Sequence, residues 1–267
     1  MGQYKKKISF TIMVPILFSL AVAALLYLLS PGNAAAAGER SITVAAASDL
    51  NFAFKDIAAV FEKETGIKVI LSFGSTGMLA KQISEGAPFD LFFAADRKYL
   101  EDLSKKGHVI PYSVERYAQG VIVLAVNKSS GIEVRDLKHL LRPEIRNVAI
   151  ANPDHAPYGR AAMEVLKSAG LWDRLKEKLV YGENIRQTLQ FIQTGNAQAG
   201  IVALSLVNVP EITYVRRIDP SLHNPIDQTM GIVKTSKDPE AAVSFIRYVK
   251  GPAGSEIMKK YGFIIPQ

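Results

Sequence analysis

Residues 41–94 read SITVAAASDLNFAFKDIAAVFEKETGIKVILSFGSTGMLAKQISEGAPFDLFFA, and this stretch decides the fold. Ser41–Ala46 is β-rich, and Ala53–Glu64 then repeats apolar residues at helical spacing until Thr65-Gly66 stops it. Lys68–Ser72 is a second strand. Gly77–Ser84 is a helix closed by Gly86, and Asp90–Ala94 is apolar enough to be a strand buried on both faces. With a short helix over Arg97–Lys105, the rhythm is β-α-β-α-β, which predicts a largely parallel sheet flanked by helices.

Downstream the rhythm restarts. Gly120–Val126 (GVIVLAV) is read as one long apolar strand, followed by a helix over Val134–Leu140 and a strand at Val148–Ala151. A helix over Gly159–Ala169, a strand at Leu179–Tyr181, a helix over Ile185–Gln193 and a strand at Ala199–Ala203 follow, with Val209–Tyr214 beyond them. Asn224–Lys234 is a loop and a strand that returns to the first unit, and Gly251-Pro252 separates two final helices, Pro239–Val249 and Ala253–Tyr261. The expected organisation is α/β with two lobes: residues 38–119 and 225–267 form the first, and 120–224 the second. Two chain crossings between similar units leave a cleft, a common seat for small ligands.

The N-terminus has the layout of an export signal. Lys5, Lys6 and Lys7 precede an apolar run from Ile8 to Leu29, and small residues Ala34–Ala37 supply a cleavage site, so residues 1–37 are expected to be removed. The run's 22 residues also suffice to span a bilayer, which makes an uncleaved anchor the alternative. No cysteine follows the run, which excludes a lipoprotein. Without residues 1–37, of 32 basic and 25 acidic residues 29 and 25 remain, a surplus of about +4 with no block of like charge. Nucleic-acid binding has little support in that distribution. Zero cysteines exclude disulfides, thiolate metal sites and thiol nucleophiles.

Four turns from strand to helix carry small, hydroxyl or glycine residues: Ala45-Ala46-Ala47-Ser48-Asp49-Leu50, Phe73-Gly74-Ser75-Thr76-Gly77-Met78, Pro157-Tyr158-Gly159-Arg160 and Glu183-Asn184-Ile185-Arg186. Each new helix starts with free N–H groups and a positive dipole end, so such a junction holds an anion without a cationic side chain. A single junction reads equally as a helix cap. Four at the carboxyl ends of strands facing one cleft read as a site. His108, His139, His155 and His223 have no metal-ligand spacing, and His155 is read as packing its loop. Ser48 lacks a nucleophile-elbow setting, and neither a P-loop nor a dinucleotide fingerprint is present. Asp90 and Asp96 are read as solvated caps, Arg160 and Arg186 as helix-solvating, and Trp172 as a core plug. The enzymatic alternative is a secreted serine hydrolase using Ser48 or Ser75 with His155.

At the junctions the chain resembles the periplasmic molybdate-binding proteins of ABC importers. The strings that carry the likeness are Ala45-Ala46-Ala47-Ser48, Ser72-Phe73-Gly74-Ser75, Gly86-Ala87-Pro88-Phe89-Asp90-Leu91-Phe92, the run from Asn152 to Gly159, the run from Gly195 to Val202, and Lys250-Gly251-Pro252-Ala253 with Lys260-Tyr261-Gly262-Phe263. The resemblance implies a type II two-lobed binding-protein fold, not an enzyme. It implies a periplasmic protein that captures molybdate or tungstate for the permease of an ABC transporter; a monomer without a cofactor is expected. The implied donors to the oxyanion are the hydroxyls of Ser48 and Ser75 and the backbone N–H groups of Tyr158 and Ile185, whose side chains then need not matter. Ala203 stands where some relatives carry a ligand-facing tyrosine, and it cannot supply that hydroxyl. Sulfate is the alternative oxyanion.

Overall fold

The expected strand-helix alternation is realised in a computed structural model, which describes residues 40–266. The expected export signal lies outside the described residues. Two five-stranded sheets organise the described residues, each the floor of one lobe. The first contains β1 (Ser41–Ala47), β2 (Lys68–Gly74), β3 (Leu91–Ala94), β4 (Glu115–Gly120) and β10 (Ile226–Ile232), in the order β2-β1-β3-β10-β4. The second contains β5 (Ile122–Asn127), β6 (Val148–Ala151), β7 (Leu179–Gly182), β8 (Ala199–Ala203) and β9 (Ile212–Arg217), in the order β7-β6-β8-β5-β9. Within each sheet the β-α-β strands pair in parallel, and β10 and β5 run antiparallel to both of their neighbours.

Among the described residues, eight helices flank the sheets: α1 (Asn51–Thr65), α2 (Thr76–Ser84), α3 (Arg97–Lys105), α4 (Pro157–Ser168), the short α5 (Trp172–Leu175), α6 (Ile185–Gln193), α7 (Pro239–Lys250) and α8 (Pro252–Lys260). In α1, Ala53, Phe54, Ile57, Ala58 and Phe61 fall on one stripe and are buried. The helix stops where Gly66 takes φ 70°, and the Gly66 N–H donates to the Glu62 carbonyl. The first lobe's core is aromatic. Phe245 of α7 meets Phe54, Phe61 and Phe93 in edge-to-face pairs 5.2 to 6.0 Å apart. The second core is aliphatic and small-residue, built on Val123, Leu124, Ile150, Val165, Leu189 and Ile201.

Three expectations are corrected. Gly120–Val126 is not one strand, because the chain leaves the first sheet at Gly120 and enters the second at Ile122. Glu115–Gly120 is therefore a strand that the reading lacked. Val134–Leu140 is not an α-helix; its only helical turn is the 3₁₀ segment Leu137–Leu141, capped by Asp136, which accepts from the Lys138 and His139 N–H groups. Asp90 is not a solvated cap. It is buried and accepts from the Thr43 N–H, the Ser236 hydroxyl and the Lys237 N–H, which ties β1 to the segment after β10.

Candidate functional site

All four strand-to-helix junctions converge. Ser48 follows β1, Ser75 caps α2 after β2, Tyr158 stands at the start of α4 after β6, and Ile185 opens α6 after β7; all four line one small cavity. Its volume is about 10 Å³, room for roughly one water molecule. That is too little for a sugar or a peptide. None of the cavity-lining residues carries a cationic side chain.

Local sequence explains which backbone donors are free. Asn184 caps α6 and accepts from the Arg186 and Gln187 N–H groups at 3.0 Å, so the N–H of Ile185 is not taken by the cap. Pro157 occupies the first position of α4 and has no N–H, and no side chain caps that helix, so Tyr158 carries an early free amide. Ser75 is a helix cap, with Oγ 3.4 Å from the Met78 N–H it accepts. Ser48, 3% exposed, has a hydroxyl without a hydrogen-bond partner among the described residues. A buried hydroxyl left in that state costs about 1–3 kcal/mol, which makes it an unusual group to keep for structure alone. Ala203 is not brought to the cavity. It lies fully buried in β8, paired with Ile122 of β5.

Two further residues take part, of which the sequence reading had His155 beside a serine only in its hydrolase alternative and missed Asp49. His155 is not a mere loop-packing residue: its Nδ1 lies 2.9 Å from Ser75 Oγ, its Nε2 lies 3.4 Å from Glu183 Oε2, and its carbonyl accepts from the Gly77 N–H at 2.9 Å. These contacts join the second lobe to the start of α2. A Cβ on Gly77 would sit 2.8 Å from that carbonyl, so the approach needs glycine. The second is Asp49. It lines the cavity and is fully buried, and its Oδ2 accepts from the Tyr158 hydroxyl and from Gln228 Nε2, each at 2.8 Å. Burial pushes its carboxyl from the usual 3.8 up to about 7, against the opposing pull of the Tyr158 hydroxyl, the backbone N–H groups of Asp49 and Leu50, and the Gln228 amide. The Tyr158 side chain thus matters, contrary to the expectation that only its backbone would. Burial and the neighbouring Asp49 push its phenol well above the ordinary value, so it stays a donor.

Further contacts cross between lobes. Ser205, after β8, donates to the Asp49 carbonyl at 2.7 Å. Arg160 of α4 is not a free solvating cation: it pairs with Asp96, the cap of α3, and lies over the Tyr99 ring. Arg186 lies over Phe52 of α1. Trp172 is partly buried against the second core. The Arg160–Asp96 side chains are about a third exposed, at 31% and 29%, so the pair is worth about 0–1 kcal/mol. Arg160→Ala is expected to weaken ligand affinity by no more than roughly fivefold in a calorimetric titration. A larger loss would place the guanidinium against the ligand.

Two lobes that meet over a small cavity, with helix starts and hydroxyls as its donors, define a protein that captures a small solute. Residues 42–264 match the bacterial extracellular solute-binding protein family, and the chain belongs to it. It is 39% identical over 258 residues to the molybdate-binding protein ModA of Azotobacter vinelandii, an alignment covering 92% of this chain and 98% of that one. Its identity to the molybdate-binding protein ModA of Rhodobacter capsulatus is 36%, over 86% of this chain and 90% of the relative. Among solved structures it superposes on the periplasmic molybdate-binding protein of Azotobacter vinelandii with a TM-score of 0.79 at 32% identity, covering 85% of this chain and all of that one. Membership in a solute-binding family sets aside the hydrolase alternative, although Ser75, His155 and Glu183 fall in a hydroxyl-imidazole-carboxylate series. Among the described residues, no helix is long and apolar enough to cross a membrane.

Proposed function

We propose that the protein captures molybdate, and tungstate with it, in the cavity between its lobes and delivers it to the permease of an ABC importer. The observation that carries this reading is the donor set: Ser48, Ser75, Tyr158 and Ile185 offer hydroxyls and early helix N–H groups to one small cavity without a cationic side chain. Fixed dipoles of that kind stabilise a dianion. The kinship with molybdate-binding proteins supports the choice of anion. In this reading Ser48 Oγ and Ser75 Oγ donate to two of its oxygens from the first lobe, and the Tyr158 and Ile185 amides donate from the second. His155 Nδ1 lies 2.9 Å from Ser75 Oγ and holds that hydroxyl in place beside the cavity. Ala203 contributes no donor.

The same reading makes the mature protein a periplasmic monomer. It also divides the chain into an export signal over residues 1–37, a first lobe from 38–119 and 225–267, and a second lobe from 120–224. The two crossings between sheets, at Val121 and between Arg217 and Ile226, support that division.

Isothermal calorimetry with molybdate, tungstate, sulfate and phosphate at neutral pH tests the assignment. One-to-one binding of molybdate and tungstate, with sulfate and phosphate far weaker, is the expected result. Preference for sulfate would move the protein to another oxyanion, and no heat from any of the four would remove oxyanion capture altogether.

A further inference from the structure

Four polar groups meet where the lobes face one another, and their donors all run one way. The Tyr117 hydroxyl of β4 donates to Gln228 Oε1 at 3.4 Å; Gln228 Nε2 donates to the Tyr158 hydroxyl at 3.3 Å and to Asp49 Oδ2 at 2.8 Å; and the Tyr158 hydroxyl donates to the same Oδ2. Gln228 is placed there by β10, whose register shifts between Gln228 and Thr229. A carboxyl oxygen that accepts two hydrogen bonds is not the one that carries a proton. Any proton on Asp49 therefore sits on Oδ1, and Oδ1 is buried without a hydrogen-bond partner among the described residues. Asp49 follows Ser48 directly and lines the same cavity, whose other orphaned polar atom is the Ser48 hydroxyl.

A carboxylate beside a captured dianion would repel it, while a carboxylic acid would offer one more donor. We propose that Asp49 contacts the ligand as a neutral acid, donating its Oδ1–H to an oxygen of the tetrahedral dianion, so that each anion is captured together with one proton. The inference rests on the oxyanion reading above. It gives Asp49 a part in specificity: with its Oδ1 acting as a donor, the site has no acceptor at that point for the O–H of hydrogen phosphate.

The sign of the pH dependence follows from burial, which pushes the unliganded Asp49 up to about 7. A ligand that binds only the protonated form has full affinity below that value and loses about tenfold per pH unit above it, until the pH exceeds the still higher value in the complex. The side chains that face Asp49 from the surrounding elements are Tyr117 of β4, Tyr158 of α4, Gln228 of β10 and, at its carbonyl, Ser205 after β8; the backbone N–H groups of Asp49 and Leu50 also act on its carboxyl. Burial holds both phenols well above the ordinary tyrosine range, and the other two groups are uncharged, so Asp49 is the titrating member. His155 is the other ionisable residue that touches the site, through Ser75.

The test is molybdate titration of the protein by calorimetry between pH 7 and pH 9, repeated in buffers of differing ionisation enthalpy. Affinity is expected to fall roughly fiftyfold over that range, with proton uptake rising from about half a proton to about one per anion. Asp49→Asn presents an amide whose oxygen suits the Tyr158 and Gln228 donors and whose NH₂ replaces Oδ1–H; it is expected to bind with a profile flat within about twofold and without that uptake. His155→Gln is expected to keep the slope. A flat profile in the unsubstituted protein alongside tight binding would overturn the proton linkage and leave the oxyanion reading standing. Retention of the slope in Asp49→Asn, or its loss in His155→Gln, would also overturn it. Absence of molybdate binding at every pH would sink both readings. Should Asp49→Asn fail to fold, the buffer series on the unsubstituted protein and His155→Gln still decide the matter.

Discussion

Ser48→Ala is expected to weaken molybdate binding roughly ten- to a hundredfold, and Ser75→Ala to do the same, because in the proposed site each removes one hydroxyl donor to a charged ligand, worth about 1.5–3 kcal/mol. Their effects on the unliganded fold should have opposite signs, and this separates the two roles. The Ser48 hydroxyl has no partner within the described residues, so its removal relieves a buried unsatisfied group, and the melting temperature without ligand should not fall. Ser75 also caps α2 and touches His155, so its loss should cost about 0.5–2 kcal/mol of stability as well. Calorimetry gives the affinities, and thermal unfolding of ligand-free protein gives the second comparison. Unchanged molybdate affinity in both variants would remove these serines from the site.

Phe245→Ala is expected to destabilise the protein by about 3–5 kcal/mol, the largest loss foreseen for any single side chain here. Its ring is fully buried and meets Phe54 of α1, Phe61 of α1 and Phe93 of β3, so truncation opens a cavity where a helix from the end of the chain closes over the first sheet. For a domain of this size that corresponds to a fall in melting temperature of between roughly 6 and 20 °C. A shift of less than about 2 °C, followed by circular dichroism without ligand, would mean that the neighbouring rings collapse into the gap. Binding by the fraction that remains folded should be close to that of the unsubstituted protein, since Phe245 does not line the ligand cavity.

The alternation of strand and helix was legible because each element carries its own period. α1 shows its buried stripe and its Gly66 stop in the bare sequence. The four junctions were legible for the same local reason, since helix starts select Ser, Asn and Pro. Facts that depend on distant partners were not. A chain that changes sheets at Val121 leaves no mark in the apolar run GVIVLAV, and β4, with Glu115, Arg116 and Gln119, is polar because it is an edge strand. Val134, Leu137 and Leu140 recur every three residues, a spacing that suits a 3₁₀ turn better than the α-helix it was read as. The Ser48-Asp49 pair reads locally as a cap. Only Tyr158, 109 residues on, and Gln228, 179 residues on, reveal Asp49 as a buried acid, and His155 met Ser75 across 80 residues.

The order of strands has a consequence for the life of the chain before it reaches its ligand. The second sheet is drawn from one unbroken span, residues 122–217, whereas the first holds a gap between β3 and β4 that only β10 fills. A chain delivered from its N-terminus can therefore complete the second sheet while the first is still missing its penultimate strand. Gln228, on that strand, is also what satisfies Asp49, so the pocket acquires its polar floor among the last steps of assembly. A half-delivered chain has no finished trap to spring on an anion, and a truncation before residue 226 would leave two exposed strand edges in place of a binding protein.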